Sequence, residues 1–185
     1  MARMARPERI AGRLVSLRPL TRDDLAQRLK WLNDPEVQTM FIGVTTGPND
    51  EHELRTWFHL VQEDPLSEQW AIEWPREGGE YAGDVDLHSI MPGEKEGWIT
   101  PLFGHPEVRR KEVRRDVLQT MVRYAFEHKD LETLWAQIPD TDVDTIAVLQ
   151  EMGFQEVEKT LLDFFEGVSE LTLRLDRSGF RDEGP

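Results

Sequence analysis

The sequence predicts one α/β (α+β) domain, built on a mixed central sheet of about six to seven strands with helices on both faces. Strand-like and helical segments follow one another in the order β-α-α-β-β-β-α-β-α-β-β. The three strand-like runs in the middle are separated only by turn residues, which is typical of an antiparallel meander. The alternation of strands and helices after them requires at least one parallel pair, joined by a right-handed crossover. A mixed sheet accounts for both parts of the pattern.

The first part of the chain is predicted to hold one strand and two helices. Apolar and polar side chains alternate imperfectly over residues 13–20, and Thr21 then caps a helix. This helix has one apolar face and ends before Pro35. After a loop at residues 41–47, Asp50 caps a second helix, whose apolar residues are spaced for a single face. Both helices are therefore expected to pack on the sheet.

The second part of the chain is predicted to contain most of the sheet and a long helix. The apolar stripe of that helix consists of Val117, Leu118, Met121, Val122, Ala125 and Phe126. The expected strands and helices are the strands 69–74, 81–90 and 97–103, the helix 114–129, the strand 131–138, the helix 144–152 closed by Gly153, and the strands 155–165 and 168–175 with a turn at Glu166 and Gly167.

The organisation of the chain indicates one domain with short tails. We expect residues 1–12 to form a basic N-terminal tail, residues 13–176 the domain, and residues 177–185 a polar C-terminal tail. No apolar run follows the basic start, so it does not resemble a secretion signal. The sequence has no cysteine, which excludes disulfides and thiolate chemistry, and its five histidines lack metal-binding spacing. The expectation is a cytoplasmic protein without a metal site.

The net charge of −14 restricts the partners that the protein can bind. An acidic surface repels nucleic acid and anionic lipid, so we expect neither a nucleic-acid partner nor a membrane. The same surface favours cationic small molecules and basic peptides. Alternatively, the acidic residues serve only solubility.

Four stretches in a fixed order resemble the GNAT N-acetyltransferase superfamily. They are RLVSLRPL at residues 13–20, WLNDPEV at 31–37, AGDVDL at 82–87 and LQEMGF at 149–154. Together they are similar to the branch of this superfamily that contains the ribosomal-protein N-terminal acetyltransferases. The resemblance covers residues 13–175 and implies the GNAT fold, with acetyl-CoA bound where two central parallel strands separate. It also implies a frequent, though not obligatory, homodimer.

The resemblance assigns a cofactor loop to the sequence PEVRRKEVRR at residues 106–115. The family version, Pro-Glu-x-Arg-Gly-Lys-Gly-x-Gly, wraps the pyrophosphate with backbone N–H groups at the start of a helix. Its three glycines fall on Arg110, Glu112 and Arg114 here, so the loop is altered. Arginine side chains could replace part of the lost backbone contact, or could simply form a solvated face. The cofactor-binding residues that the resemblance implies are Val108, Arg109, Arg110, Lys111, Glu112, Val113, Arg114 and Asp142.

The late helix differs from the family pattern as well. The family commonly has Asn, and then Ser three residues later, near the pantetheine arm of the coenzyme. Asp142 and Thr145 stand at these positions, and either residue could instead only cap the helix. The tyrosine that many family members use as an acid falls on Leu149.

Several side chains could take up the proton of an amine, but none is marked out by a motif. Many family members use a Glu as a base, and the candidates on the central strands are Asp84, Asp86, His88 and Glu96. His105, before the cofactor loop, and Thr145 are further catalytic candidates. Each of these residues could instead be an ordinary surface or structural residue.

These observations give a leading hypothesis and two alternatives. The leading one is an acetyl-CoA-dependent N-acetyltransferase that acts on a cationic small molecule or on an amine of a peptide or protein N-terminus. The first alternative is a GNAT-fold protein that has lost acetyl-CoA chemistry and serves as a non-catalytic binding or assembly module. The second alternative is an enzyme with another acyl donor.

Overall fold

A computed structural model describes residues 6–40, 49–76, 78–163 and 167–182 of the chain. Its strands form one sheet in the order β1-β2-β3-β4-β5-β6-β8-β7. The strands are β1 Ile10–Ala11, β2 Ser16–Pro19, β3 Glu68–Trp74, β4 Glu80–His88, β5 Glu96–Phe103, β6 Thr133–Pro139, β7 Gln155–Leu161 and β8 Ser169–Asp176. The helices are α1 Leu25–Leu32, α2 Pro35–Gln38, α3 Glu51–Glu63, α4 Lys111–Glu127 and α5 Val143–Glu151.

The sheet is mixed, as the sequence predicts. Strands β3, β4 and β5 form the antiparallel meander, and β8 pairs antiparallel with both β6 and β7. The parallel pair joins β5 to β6, and α4 makes the crossover between them. Among the described residues this pair brings the two halves of the sheet together.

Two hydrophobic clusters lie on opposite faces of the sheet. The larger contains the inward side chains of the strands together with α4 and α5, including Leu118 and Met121, which are fully buried. The smaller contains residues of α1, α2 and α3, packed around Leu102 of β5. We call the sheet face on the side of α1 and α3 the outer face. Helices on both faces confirm the expected architecture.

Short polar residues begin the helices in the way that the sequence indicates. Asp24 accepts a hydrogen bond from the Thr21 N–H at 2.8 Å before α1, and Asp50 Oδ1 accepts one from the Glu53 N–H at 2.8 Å in α3. Gly153 ends α5 with a φ of 108°, and a Cβ at this position would collide with the backbone of Gly179. Glycine therefore suits this helix end for both conformational and steric reasons.

Some expected boundaries need correction. The sheet has eight strands rather than six to seven, because Ile10–Ala11 pairs with β2 in a strand too short to show periodicity. The long helix begins at Lys111 instead of residue 114. The expected loop at 41–47 and the residue Glu166 of the last turn lie outside the described residues.

The two segments predicted as tails contact the domain where they are described. Ile10–Ala11 forms β1, and the Arg123 guanidinium binds the Asp182 carboxylate with Nε 2.7 Å from Oδ2. The boundaries of the domain at residues 13 and 176 stay predictions. None of the helices in the described part of the chain has the length and apolar character needed to cross a bilayer.

Candidate functional site

The site is built around the point where β5 and β6 separate. Their parallel pairing runs from Glu96 and Thr133 to Ile99 and Ala136, and no pair is formed by the later residues of the two strands. Thr100 is the first residue of β5 beyond the last pair. The strands thus leave a gap at their C-terminal ends, and α4 begins close to this gap after a short 3-10 turn.

The N-terminus of α4 carries a partial positive charge that attracts an anion, because the peptide dipoles of its 17 residues are aligned. Glu112, in the first turn, takes that position in this conformation. Its pKa is lowered by a hydrogen bond from its own backbone N–H and then by the neighbouring Arg110. The start of α4 is therefore an anion site that the protein's own carboxylate occupies.

The other cations of the loop are paired with acidic groups or carbonyls of the protein. Arg109 contacts the Asp34 carboxylate at 3.3 Å and donates to the Gly104 carbonyl at 2.5 Å. Arg110 contacts Glu107 at 3.0 Å and also Glu112. Lys111 contacts Glu151 at 2.6 Å, and Arg115 contacts the same carboxylate. The charges of the loop are neutralised internally.

Arg114 lies inside the protein and does not face the solvent. Its side chain is 2% exposed, and its Nη1 donates to Asp142 Oδ1 at 2.7 Å and to Thr145 Oγ1 at 2.6 Å. Its guanidinium also stacks on the ring of Phe103, with the centroid 4.9 Å away. Phe103 ends β5 and Asp142 follows β6, so Arg114 bridges the two strands at the open end of the gap.

Asp142 and Thr145 are thus brought together with Arg114, while the two valines of the loop have another role. Asp142 also accepts from the Thr145 N–H at 3.2 Å, so it caps α5 in addition to binding Arg114. Val108 and Val113 are buried in the larger hydrophobic cluster. Only their backbone groups could face a ligand.

The fit of these residues to the diphosphate of acetyl-CoA differs among the three altered positions. The side chains of Arg110 and Glu112 are 56% and 48% exposed, so each can rotate away from the start of α4. Arg114 has no such freedom, because leaving Asp142 would strand a buried charge. The helix start therefore fits an anion once Glu112 moves aside, and Arg114 stays beside the gap.

On the outer face, Asp84 belongs to a buried polar cluster. Arg28 of α1 donates to Asp84 through Nε at 2.9 Å, and the Tyr81 hydroxyl donates to it at 2.5 Å. The ring of Trp57 covers the guanidinium at 4.0 Å. Burial, and then the charge of Asp84, raises the pKa of Tyr81 well above its ordinary value. These contacts make Asp84 a structural anion.

Asp86 lies on the same face two residues further along β4, but in a different environment. It stands between Gln69 of β3 and Thr100 of β5 in the sheet register, beside the point where β5 and β6 separate. Its Oδ1 is buried and accepts no hydrogen bond. Burial, and then the charge of Asp84, raises its pKa to about 8. A neutral carboxylic acid therefore faces this part of the sheet at pH 7.

His88 follows Asp84 and Asp86 in the row of β4 side chains on the outer face. Its Nε2 lies 3.0 Å from the Thr100 hydroxyl and its Nδ1 lies 3.1 Å from the Ser89 hydroxyl. Burial lowers the pKa of His88, and the charge of Asp64 opposes this effect only in part. The imidazole is therefore neutral at pH 7, and Thr100 connects it to the gap.

The remaining catalytic candidates lie away from this row. The exposed Glu96 accepts a hydrogen bond from the Trp135 indole N–H at 2.9 Å. The exposed His105 accepts one from the Glu107 N–H at 3.1 Å and so caps the turn before α4. Leu149, at the position of the family tyrosine, is fully buried. None of the described His, Asp and Glu side chains forms a group that could hold a metal ion.

Arg28 is a residue of the site that none of the predictions above includes, although the sequence contains a signal for it. Arg28 lies three residues after Leu25 and four before Leu32, on the helix face that those residues bury. A charged residue on an apolar face indicates a buried partner. That partner, Asp84, is 56 residues away in the chain and is found only in the folded structure.

Comparison with known proteins supports this description of the fold. A family model described as an acetyltransferase (GNAT) domain matches residues 14–155. A search of curated proteins gave no match.

Three solved structures show the same fold. A spermidine N-acetyltransferase from Vibrio cholerae, in complex with CoA and spermine, is 18% identical with a TM-score of 0.77, over 90% of this chain and 97% of that one. A GNAT-family acetyltransferase from Bacillus anthracis is 15% identical with a TM-score of 0.73, over 92% and 99%. A domain from Methanocaldococcus jannaschii DSM 2661 is 16% identical with a TM-score of 0.71, over 88% and 97%.

Proposed function

The chain belongs to the GNAT acetyltransferase family, and on that basis we propose that it transfers an acetyl group from acetyl-CoA to an amine of a small cationic molecule or peptide. The observation that carries the proposal is the gap between β5 and β6, with the start of α4 beside it. A helix N-terminus favours the phosphates of a coenzyme, and the gap offers a place for the rest of its chain.

In this proposal the residues of the protein mainly bind and orient the two substrates. A thioester is already activated, so the enzyme has to hold an amine near it and provide a route for the amine proton. His88, which is neutral at pH 7 and hydrogen-bonded to Thr100 at the gap, is the group best placed to receive that proton. The loop residues Arg109, Arg110 and Lys111 would then approach the phosphates after exchanging their present acidic partners.

A cationic acceptor is supported by two independent observations. The net charge of −14 attracts cations over long range, and the unpartnered carboxyl group of Asp86 lies on the outer face opposite Thr100 at the gap. One of the similar structures is a spermidine N-acetyltransferase with spermine bound, although the 18% identity conveys the fold alone. We therefore propose an amine rather than an alcohol or an anion as acceptor.

The non-catalytic alternative is favoured by one specific observation, the internal neutralisation of the loop. A coenzyme has to replace the Glu112 carboxylate at α4, which weakens its binding. Under the proposal, acetyl-CoA binds weakly but measurably. Under the alternative, it does not bind.

Calorimetric titration with acetyl-CoA distinguishes the acetyltransferase from the non-catalytic module. We expect weak binding to the wild-type protein and binding several-fold tighter to Glu112→Gln, because the amide removes a negative charge from the phosphate position and Arg110 is released. Glu158→Gln, at an exposed position on β7, is the matched control and should bind like wild type. Acetylation of spermine and of a basic peptide, followed by mass spectrometry, then tests transfer.

Two outcomes would contradict the proposal in different ways. If neither wild type nor Glu112→Gln binds acetyl-CoA, the proposal is wrong, and the protein is a non-catalytic module or uses another acyl donor. If Glu112→Gln binds more weakly than wild type, the carboxylate supports the site instead of obstructing it, and the account of the loop is wrong.

The location and the assembly of the protein are two further proposals. The cysteine-free sequence supports the cytoplasm. A homodimer is supported by the edge strand β7, on which Val157 and Leu161 are 53% and 64% exposed. Light scattering on the purified protein would measure the mass of the particle and show whether it is a homodimer.

A further inference from the structure

Two aspartates on one strand face have opposite environments, and this difference identifies a binding group. Asp84 accepts hydrogen bonds from the Arg28 guanidinium and from the Tyr81 hydroxyl. Asp86, two residues away, has a buried Oδ1 without any hydrogen-bond donor. Buried polar groups in folded proteins nearly always have partners, so a lone carboxyl group of this kind requires an explanation.

We propose that Asp86 is a proton-linked binding site for the ammonium group of the acceptor, a neutral acid in the free protein and a carboxylate when the cation is bound. The inference rests on the proposed function, because it places the amine of that reaction. It goes further by naming the group that holds the amine and by linking binding to the release of a proton.

The side chains next to Asp86 in the sheet carry no positive charge. Its neighbours in the sheet register are Gln69 and Thr100, which carry no charge, and His88 is neutral at pH 7. Asp86 as a residue is half-buried while its Oδ1 is covered, so the proposal requires a ligand to approach from the outer face and to displace the cover of Oδ1. A bound ammonium would supply both the missing donor and the missing positive charge.

The charged groups that face Asp86 explain why it is neutral in the free protein. Asp84 repels a second negative charge, and this repulsion adds to the effect of burial. Arg28 and Arg6 oppose it, but the Arg28 guanidinium is held by Asp84, and an Arg6 guanidinium N–H donates to the Gln69 carbonyl. The positive charge of an ammonium group beside Asp86 lowers the pKa of the carboxyl group, so the carboxyl group loses its proton to the solvent.

The position of Asp86 connects the ammonium site to the gap. Asp86 is the partner on β4 of Thr100, the first residue of β5 beyond the parallel pairing. A cation held at Asp86 therefore lies beside the point where β5 and β6 separate. His88, hydrogen-bonded to the Thr100 hydroxyl, is the neighbouring neutral base.

The test is calorimetry with spermine in the absence of acetyl-CoA, at pH 7 in two buffers with different enthalpies of ionisation. With a pKa of about 8, Asp86 is mostly protonated at pH 7, so we expect wild type to release most of a proton for each spermine bound. Between pH 6 and pH 7 the apparent affinity should rise several-fold, because the free-energy cost of removing the proton from Asp86 falls as the pH rises.

Two variants isolate the contribution of Asp86. Asp86→Asn should bind spermine without proton release and without the rise in affinity with pH. Glu96→Gln removes an exposed carboxylate from the same face and should keep the proton release of wild type. A carbon-13 NMR titration of the wild-type protein provides the same information without a variant, as the pKa of Asp86 should fall when spermine is added.

The proposal is overturned by spermine binding that releases no proton, by equal release from Asp86→Asn, or by no binding at all. Because acetyl-CoA is absent, these results are independent of the test of the proposed function. A protein that releases the proton and yet fails to bind acetyl-CoA would keep the ammonium site and lose the transferase activity.

Discussion

Replacing Arg114 by methionine should destabilise the protein strongly although the new side chain is apolar. Arg114 and Asp142 are 2% and 4% exposed at their side chains, and Nη1 and Oδ1 are 2.7 Å apart. Removing one partner of such a pair leaves a buried charge and costs about 3–5 kcal/mol. The N–H of Thr145 still donates to Asp142, so we expect the lower end of this range for Arg114→Met.

A double-mutant cycle with Asp142→Asn shows whether the stranded charge is the cause. Asparagine keeps an oxygen that can accept from the Thr145 N–H and cap α5, but it carries no charge. The double variant Arg114→Met, Asp142→Asn should therefore be more stable than Arg114→Met alone, and the coupling energy from the full cycle should be about 1–3 kcal/mol. Equilibrium unfolding in urea measures all four proteins.

The refuting result is an Arg114→Met protein that loses less than about 1 kcal/mol, or a double variant that is no better. Either would mean that the bridge across the gap is not a structural contact and that Arg114 is free to move. If the bridge is structural, then Arg114→Gly combined with Asp142→Asn should also bind acetyl-CoA more tightly than wild type, because the gap is opened without a stranded charge.

Two further predictions concern the core and the surface. Leu118→Ala should lower the free energy of unfolding by about 2–5 kcal/mol, because Leu118 is fully buried in the larger cluster; a loss below about 1 kcal/mol in urea would contradict the packing of α4. The apparent affinity for a cationic acceptor should fall as salt is added, since the net charge of −14 acts over long range. Initial rates with spermine at two ionic strengths test this, and rates that do not change with salt would count against electrostatic attraction.

Local patterns in the sequence were sufficient for the architecture. The spacing of apolar residues predicted α4 and its buried face, and the caps at Thr21 and Asp50 predicted two helix starts. The element order required a parallel pair, which is formed by β5 and β6. These features depend on residues within a few positions of each other, and for that reason they could be predicted from the sequence alone. The two-residue strand β1 has no such pattern and was missed.

The site depended on contacts between distant parts of the chain. The arginines and lysine of the loop have the same local sequence context, yet Arg114 is buried against Asp142 while Arg110 stays exposed. Their partners come from 28 residues away for Arg114, 40 for Lys111 and 75 for Arg109. No local pattern encodes such pairs, since they exist only after α2, α4 and α5 are packed together.

The two aspartates of β4 show most clearly which properties follow from the sequence and which depend on the tertiary structure. By itself, the sequence determined that Asp84 and Asp86 share one face of a strand, because side chains alternate along it. The tertiary structure alone decided that Arg28 reaches Asp84 and that no donor reaches Oδ1 of Asp86. Whether a buried carboxyl group is charged depends on its burial and on the charges around it, and these come from helices and strands far away in the chain.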